Sequence, residues 1–306
     1  MSHPVKLSLV AVAFLAGGSP RAGDPMVRVA PHAWAWISPD DRSANGAVLV
    51  GDSIALAVDP GMTPALARRF LARAAAVAGR PVRYVVLTHW HPDHALGITC
   101  LAGRRPIVVA QDNARRALIE RAAAVAVAMA KGARTAAERL ELEQCRPAAP
   151  DRGITDRARF DLGGRTVEVF HPGPAHTAGD LIVWEPTERV LVTGDVFMHS
   201  ASPDMGEAAP LAWVRVLDSL VAFEPGAVVA GHFGPSRPRD LLRFRDYMRT
   251  LVQRVTELVD AGVPSDSVPN RIDMTDFKDF VQYPQFDATF AGNARRVVAA
   301  LAKERR

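Results

Sequence analysis

Residues 88–94 read Thr-His-Trp-His-Pro-Asp-His, so three imidazoles and one carboxylate fall within six consecutive positions. The apolar run Val82-Arg83-Tyr84-Val85-Val86-Leu87 leads directly into them. Imidazole nitrogen and carboxylate oxygen suit zinc at neutral pH. A β-branched run that stops abruptly in such a cluster reads as a buried strand. It delivers ligands at its carboxyl end, where open α/β sheets place their sites. A solvated loop has no reason to concentrate histidine in this way.

Three later segments repeat the arrangement. His176 follows the short strand of residues 166–170 and sits among turn residues, Pro172, Gly173, Pro174 and Gly179. Asp195 ends the run Val190-Leu191-Val192-Thr193-Gly194, and His232 follows Val228-Val229-Ala230-Gly231. Chance makes one polar turn after a strand easily, and four with metal-competent side chains rarely. The four strands are expected to converge on one edge of a sheet.

The set His89, His91, Asp93 and His94, followed in order by His176, Asp195 and His232, resembles the metallo-β-lactamase fold superfamily. The likeness runs from about residue 27 to residue 234. It implies an α/β fold, a four-layer αββα sandwich, and two zinc ions per chain. By this resemblance His89, His91 and His176 hold one zinc, Asp93, His94 and His232 hold the second, and Asp195 bridges both. Asp59, in Ala57-Val58-Asp59-Pro60-Gly61, would steady the motif loop from behind.

One departure bears on the substrate. In the β-lactamases of the superfamily the position of Asp195 is usually cysteine or serine. Aspartate there resembles the wider hydrolase group, which includes glyoxalase II-like thioesterases, lactonases and phosphodiesterases. The implied reaction is attack by a metal-bound hydroxide on a small carboxylic ester, thioester, lactone or β-lactam. Asp93 would act as ligand and as acceptor of the water proton. No Gly-x-Ser-x-Gly nucleophile pentapeptide competes with this reading. Two other readings share the motif. One is a mononuclear-iron persulfide dioxygenase using His89, His176 and Asp195. The other is a metal-bound accessory protein of an exported redox pathway.

The rest of the chain bounds the setting. With 306 residues and 48% hydrophobic content it can bury a full core, and ligands spread from His89 to His232 require one folding unit. The formal net charge is only +4, and arginines are scattered over helical segments such as Arg68-Arg69, Arg115-Arg116 and Arg295-Arg296. No basic stripe with interleaved aromatics appears, so a small-molecule substrate is expected and nucleic acid is not. Cys100 and Cys145 lack zinc-thiolate spacing; a disulfide and two separate core thiols both remain open. Lys6, the apolar residues 7–15 and Ala16-Gly17-Gly18 read as a secretory signal within residues 1–22, too short to span a bilayer. A periplasmic or secreted protein is therefore expected, with a cytoplasmic one as the alternative. No membrane association is expected, and the oligomeric state is left open. The organisation reads as a catalytic domain over 23–262 and a helical extension over 263–306 packed on it.

Periodicity supplies the elements. Residues 27–37 and 47–58 read as a pair of strands joined by a polar loop, and 64–79 as a helix that stops at glycine. Residues 112–145 are alanine-rich and helical, divided at Gly132; the resemblance implies that helices inserted here cover the metal cleft and form part of a substrate wall. Gly163-Gly164 marks a hairpin, and 238–261 and 292–306 read as helices. His171 is expected to be structural, and His199 is a candidate substrate contact. Trp34 and Trp36 read as core residues, with a cleft wall as the alternative. Tyr247, Tyr283 and Phe286 read as packing residues.

Overall fold

The computed structural model describes residues 25–305 except Asp41, Ala102, Arg104, Gln285 and Phe286. The expected signal segment and Phe286 therefore lie outside the described residues. Two sheets stack face to face. The first holds β1 (Met26–Ala30), β2 (Ala33–Trp36), β3 (Gly46–Val50), β4 (Ala55–Val58), β5 (Val82–Val86), β6 (Ile107–Gln111) and β7 (Arg152–Ile154), in sequence order. Its first four strands pair antiparallel and its last four parallel. The second holds β8 (Arg157–Asp161), β9 (Thr166–Phe170), β10 (Ile182–Glu185), β11 (Val190–Val192) and β12 (Ala227–Val229), in the order β12-β11-β10-β9-β8. Only β11 and β12 run parallel there.

Alternation along each strand builds the layers, because successive side chains point to opposite faces. In β4, Leu56 and Val58 meet Val86, Val109, Val169, Val183 and Val192 between the sheets. Ala55 and Ala57 face the other way, toward Phe70, Leu96 and Leu118 of the helices. In β10, Val183 joins the inter-sheet core while Ile182 and Trp184 face the second helical layer. Helices α1 (Pro64–Ala78), α2 (Pro92–Thr99), α3 (Asp112–Lys131) and α4 (Ala136–Glu143) cover the first sheet. Helices α5 (Pro210–Val221), α6 (Pro238–Asp260), α7 (Val268–Arg271) and α8 (Phe290–Glu304) cover the second. The expected αββα sandwich is the observed architecture.

Local sequence explains the boundaries. Thr63 caps α1 by accepting the Leu66 N–H, Pro64 takes the first helical position, and Gly79 ends the helix at φ 58°. The long helical stretch does divide at Gly132, with Thr135 capping α4. Cys100 and Cys145 are bonded, with Cα atoms 5.1 Å apart, so the end of α2 is tied to the end of α4. A crosslink across 45 residues contributes about 4 kcal/mol through the unfolded chain.

Three expectations need correction. Residues 27–37 and 47–58 form four strands, because turns at Pro31-His32 and Asp52-Ser53 interrupt each run. Helix α5 and strands β6 and β7 were not anticipated. The α5 signal is present in Trp213, Val216, Leu217 and Leu220, all buried at helical spacing. The ligand-bearing strands also do not share one sheet: β5 belongs to the first, and β9, β11 and β12 to the second. Trp36 is buried against Phe70 and Trp34 packs beside the same cluster. Within the 263–306 stretch, Phe277, Phe280 and Phe290 ring Tyr247 of α6 and share its core. Among the described residues no helix is long and apolar enough to cross a membrane.

Candidate metal centre

The motif loop begins where β5 leaves the sheet. Asp59, at the end of β4, holds it from below. Its Oδ1 accepts the Thr88 N–H at 2.8 Å, and its Oδ2 accepts the Thr88 hydroxyl at 2.6 Å and lies 2.7 Å from His94 Nδ1. Pro92 then starts α2 at a position that needs no N–H, so Asp93 and His94 sit in its first turn. Asp59 thus stands behind the loop, as the resemblance implies.

The other loops are fastened to this one. Ser43 Oγ and the Ala44 N–H both donate to the Asp93 carbonyl at 3.2 Å. Asn45 donates from Nδ2 to the carbonyls of Ala230 and Phe233, and from its backbone N–H to Gly231, which fixes the His232 turn. Thr177 donates its N–H and hydroxyl to the buried Asp180 carboxylate, closing the turn after His176. Trp213 packs 5.6 Å from the His176 ring and donates to the Val196 carbonyl. Two glycines permit the loops to meet. A Cβ on Gly194 (φ 51°) would lie 2.2 Å from Thr88 Oγ1, and one on Gly231 would lie 2.0 Å from Asp195 Oδ1. Ser43, Asn45 and Trp213 carry no motif in the sequence; their only local signal is a polar turn or a helix face.

All seven expected side chains come together. His89, His91, His176 and Asp195 form one group, and Asp93, His94, Asp195 and His232 a second, each with its potential ligand atoms within 4.8 Å of one another. Asp195 belongs to both, at the end of β11. Its Oδ2 lies 3.6 Å from His176 Nε2, and its Oδ1 lies 3.1 Å from His94 Nε2 and 3.5 Å from His232 Nε2. Asp93 Oδ2 sits 2.9 Å from His232 Nε2. His91 Nδ1 is 3.0 Å from His176 Nε2. Among the described residues the buried His89 Nε2 and His176 Nδ1 have no hydrogen-bond partner, and the buried His94 Nε2 and Asp195 Oδ1 meet only each other and neighbouring members of the two groups. A folded protein seldom concentrates such poorly satisfied buried polar atoms in one place. The donor set therefore fits cations held among these side chains.

Burial and charge act differently on the two groups. Burial lowers His89 well below the usual imidazole range and lowers His176 to about 3. Burial also lowers His91. In the second group burial is outweighed: Asp195, Asp93 and Asp59 hold His94 well above its usual value, and Asp195 and Asp93 raise His232. Burial alone would raise Asp93, but His94 and His232 hold it at about 2. The same balance, with His232 and His94 opposing burial, keeps Asp195 low.

The remaining candidates lie outside both groups. His171 Nδ1 contacts the Asp180 carbonyl at 2.7 Å, a structural role as expected. His199 Nε2 lies 3.7 Å from Asp240 of α6. Asp180 is no bystander, since burial raises its carboxyl to about 7 while it pins the His176 turn.

Comparison with known proteins agrees with this geometry. The family model described as the metallo-beta-lactamase superfamily matches residues 39–232, more than half of the chain. The chain belongs to the metallo-β-lactamase superfamily. A type 2 metallo-β-lactamase of Bacteroides fragilis is 29% identical over 126 residues, 39% of this chain and 46% of the relative. A linear primary-alkylsulfatase of a Pseudomonas species is 21% identical over 249 residues, 70% of this chain and 47% of that protein. The chain thus spans less than half the length of each of these curated relatives. Among solved structures, a metallo-β-lactamase from Pontibacter korlensis superposes with a TM-score of 0.58 at 18% identity, covering 73% of this chain and 98% of its own. The DIM-1 metallo-β-lactamase gives 0.57 at 21% identity, covering 74% and 96%. At such identities the likeness is one of fold. The superfamily member described here carries aspartate at 195, with no cysteine near either group.

Proposed function

We propose that this chain is a dinuclear zinc hydrolase that cleaves a small carboxylic ester, thioester, lactone or β-lactam. One observation carries the reading: two complete four-residue groups share a single carboxylate, Asp195, with unpaired ligand atoms buried among them. His89, His91 and His176 would hold one zinc, and Asp93, His94 and His232 the other, with Asp195 between them. When bound, the pair of ions would bring the pKa of a shared water toward neutrality and polarise the scissile carbonyl.

The chain's own residues do the rest. Asp93 Oδ2, in the first turn of α2 and 2.9 Å from His232, is the carboxylate placed to accept the proton of the attacking water. It is held low enough to be ionised across neutral pH. Asp59 fixes the His94 ring through Nδ1 and leaves Nε2 directed at Asp195. Asp195 brings negative charge that holds cations tightly and moderates their Lewis acidity relative to a neutral ligand. The second group is as complete as the first, so nothing in the geometry favours a mononuclear iron dioxygenase. The relatives named above set the substrate panel: β-lactams and a primary alkyl sulfate beside esters, thioesters and lactones.

Elemental analysis after mild purification tests the reading, with close to two zinc ions per chain expected. One iron and no zinc, with oxygen consumption on a persulfide, would sink it. We also propose export to the periplasm or beyond. The Cys100–Cys145 disulfide supports that setting, because such bonds persist where the compartment is oxidising. Amino-terminal sequencing from the native host should begin after about residue 18–22; an intact Met1 in a cytoplasmic fraction would overturn the localisation.

A further inference from the structure

We propose that a cleft beside the first ligand group is a substrate subsite for a carboxylate-bearing arm, read by Arg116. This deepens the hydrolase reading and rests on it. The cleft has a volume of about 270 Å³ and is bounded by Trp90, Arg116, Glu120, Arg121, Gly179 and Glu207. Three of these place it against the metal centre. Trp90 lies between His89 and His91 in the motif, Gly179 follows His176 by three residues, and Glu207 Oε2 is 3.9 Å from His91 Nε2.

Charge bookkeeping in the cleft isolates one cation. Glu207 accepts from Trp90 Nε1 at 2.8 Å and from Arg121 at 2.7 Å, and the Arg121 guanidinium stacks 4.9 Å from the Trp90 ring. Those three side chains satisfy one another. Arg116 has no ion pair or hydrogen bond with any described residue and projects from the first turns of α3. The positive end of that 20-residue helix, at Asn113 and Ala114, faces the same part of the cleft. Glu120 likewise has no ion pair or hydrogen bond with a described residue; it lies one turn farther along α3, about 6 Å toward the negative helix end. The two do not pair, although they stand four residues apart. An anion is therefore favoured at the Arg116 end, and a guanidinium fork matches a carboxylate in two hydrogen bonds.

The floor limits what can enter. A Cβ on Gly179 would lie 2.5 Å from the Ala114 nitrogen, so the His176 turn rests directly on α3. Ala114 and Ala117 line the cleft beside it, so this wall is made of small residues. A slender carboxylate-ended chain fits better than a bulky ring. The scissile carbonyl would then lie over the ligand groups, with the arm running past Trp90 to Arg116.

Paired substrates test this. Hydrolysis of p-nitrophenyl acetate and of the mono-p-nitrophenyl ester of glutaric acid is compared in the wild type, Arg116→Ala, Arg116→Glu and Glu120→Gln. The wild type should prefer the glutarate ester. Arg116→Ala should raise KM for that ester about threefold to fivefold, the upper end of the scale for an exposed ion pair. Arg116→Glu should raise it further, and kcat and the acetate ester should stay within about twofold. Glu120→Gln should improve the glutarate ester slightly, and added salt should erase the preference. Calorimetric binding of monomethyl glutarate provides a readout without turnover. Binding that is lost in Arg116→Glu supports the subsite even if neither ester is cleaved, in which case only the hydrolase reading fails. Binding that ignores Arg116, a preference for an ammonium-ended ester, or equal loss on both esters would overturn the proposal.

Discussion

The two ligand groups share Asp195 and differ in nearly everything else. The first offers three imidazoles that burial already holds neutral, His89, His91 and His176, with one carboxylate. The second offers two carboxylates and two histidines whose pKa values those carboxylates raise. In the second group the histidines and carboxylates meet one another at 2.9–3.5 Å. A cation entering there must displace protons, whereas the first group has few to lose. A single site on one scaffold thus contains a half that is ready to ligate and a half that must be deprotonated first.

The largest test removes what the halves have in common. Asp195→Ala should lower both metals and hydrolysis together, by 100-fold or beyond, since loss of one ligand or its support typically costs about 10–100-fold. Asp195→Cys should be milder, because thiolate is a good zinc ligand, and relative activity should move toward β-lactams. An Asp195→Ala protein that keeps two zincs and full turnover would remove the shared ligand and with it the comparison.

Removing one half at a time is the next test. His89→Ala and His232→Ala should each bind close to one zinc, with turnover down about 10–100-fold. The zinc retained in His232→Ala should be the tighter of the two in a chelator competition. If the His89→Ala zinc is the tighter, the asymmetry runs the other way.

Acid should separate the halves without any substitution. His94 and His232 gain protons as pH falls from a raised value, and bound metal opposes that gain. His176 stays neutral down to about pH 3. Zinc content measured by dialysis from pH 7.5 to pH 5 should therefore fall from two toward one per chain, the second-group ion leaving first. Simultaneous loss of both ions would contradict this.

The smallest effect concerns the support of the first group. Asp180 has its carboxyl raised from 3.8 to about 7 by burial. A raised acid contributes stability that is fully present below its unfolded value and lost as pH rises through the folded one. In metal-stripped protein, the wild type should lose stability relative to Asp180→Asn between about pH 4 and pH 7. Denaturant midpoints at pH 5 and pH 7.5 measure the difference; an unchanging gap would mean that Asp180 is ionised throughout.

Much of this was legible before any coordinates. The helix split at Gly132, the stop at Gly79 and the Gly163-Gly164 hairpin are local events governed by a few backbone torsions. Such signals sit in adjacent residues. The breaks inside 27–37 and 47–58 rest on Pro31-His32 and Gly51-Asp52-Ser53, interruptions so short that each run reads as one long strand. Helix α5 was passed over because its apolar spacing follows directly on the irregular stretch that begins at Met198.

The sequence by itself determined which side chains come together at the candidate site and in what order, since strand ends followed by His or Asp are written in neighbouring positions. It also placed Asp59 through its motif. Only the tertiary structure decided that the four strand ends come from two sheets and that Ser43 and Asn45 bind the loops to one another. The same holds for the bond between Cys100 and Cys145, and for Trp90, Arg121 and Glu207, which satisfy one another. Those facts depend on contacts between residues far apart in the chain, up to 188 positions. No local propensity encodes such a distance; it is set when hydrophobic burial on both faces of each sheet fixes where the loops must emerge.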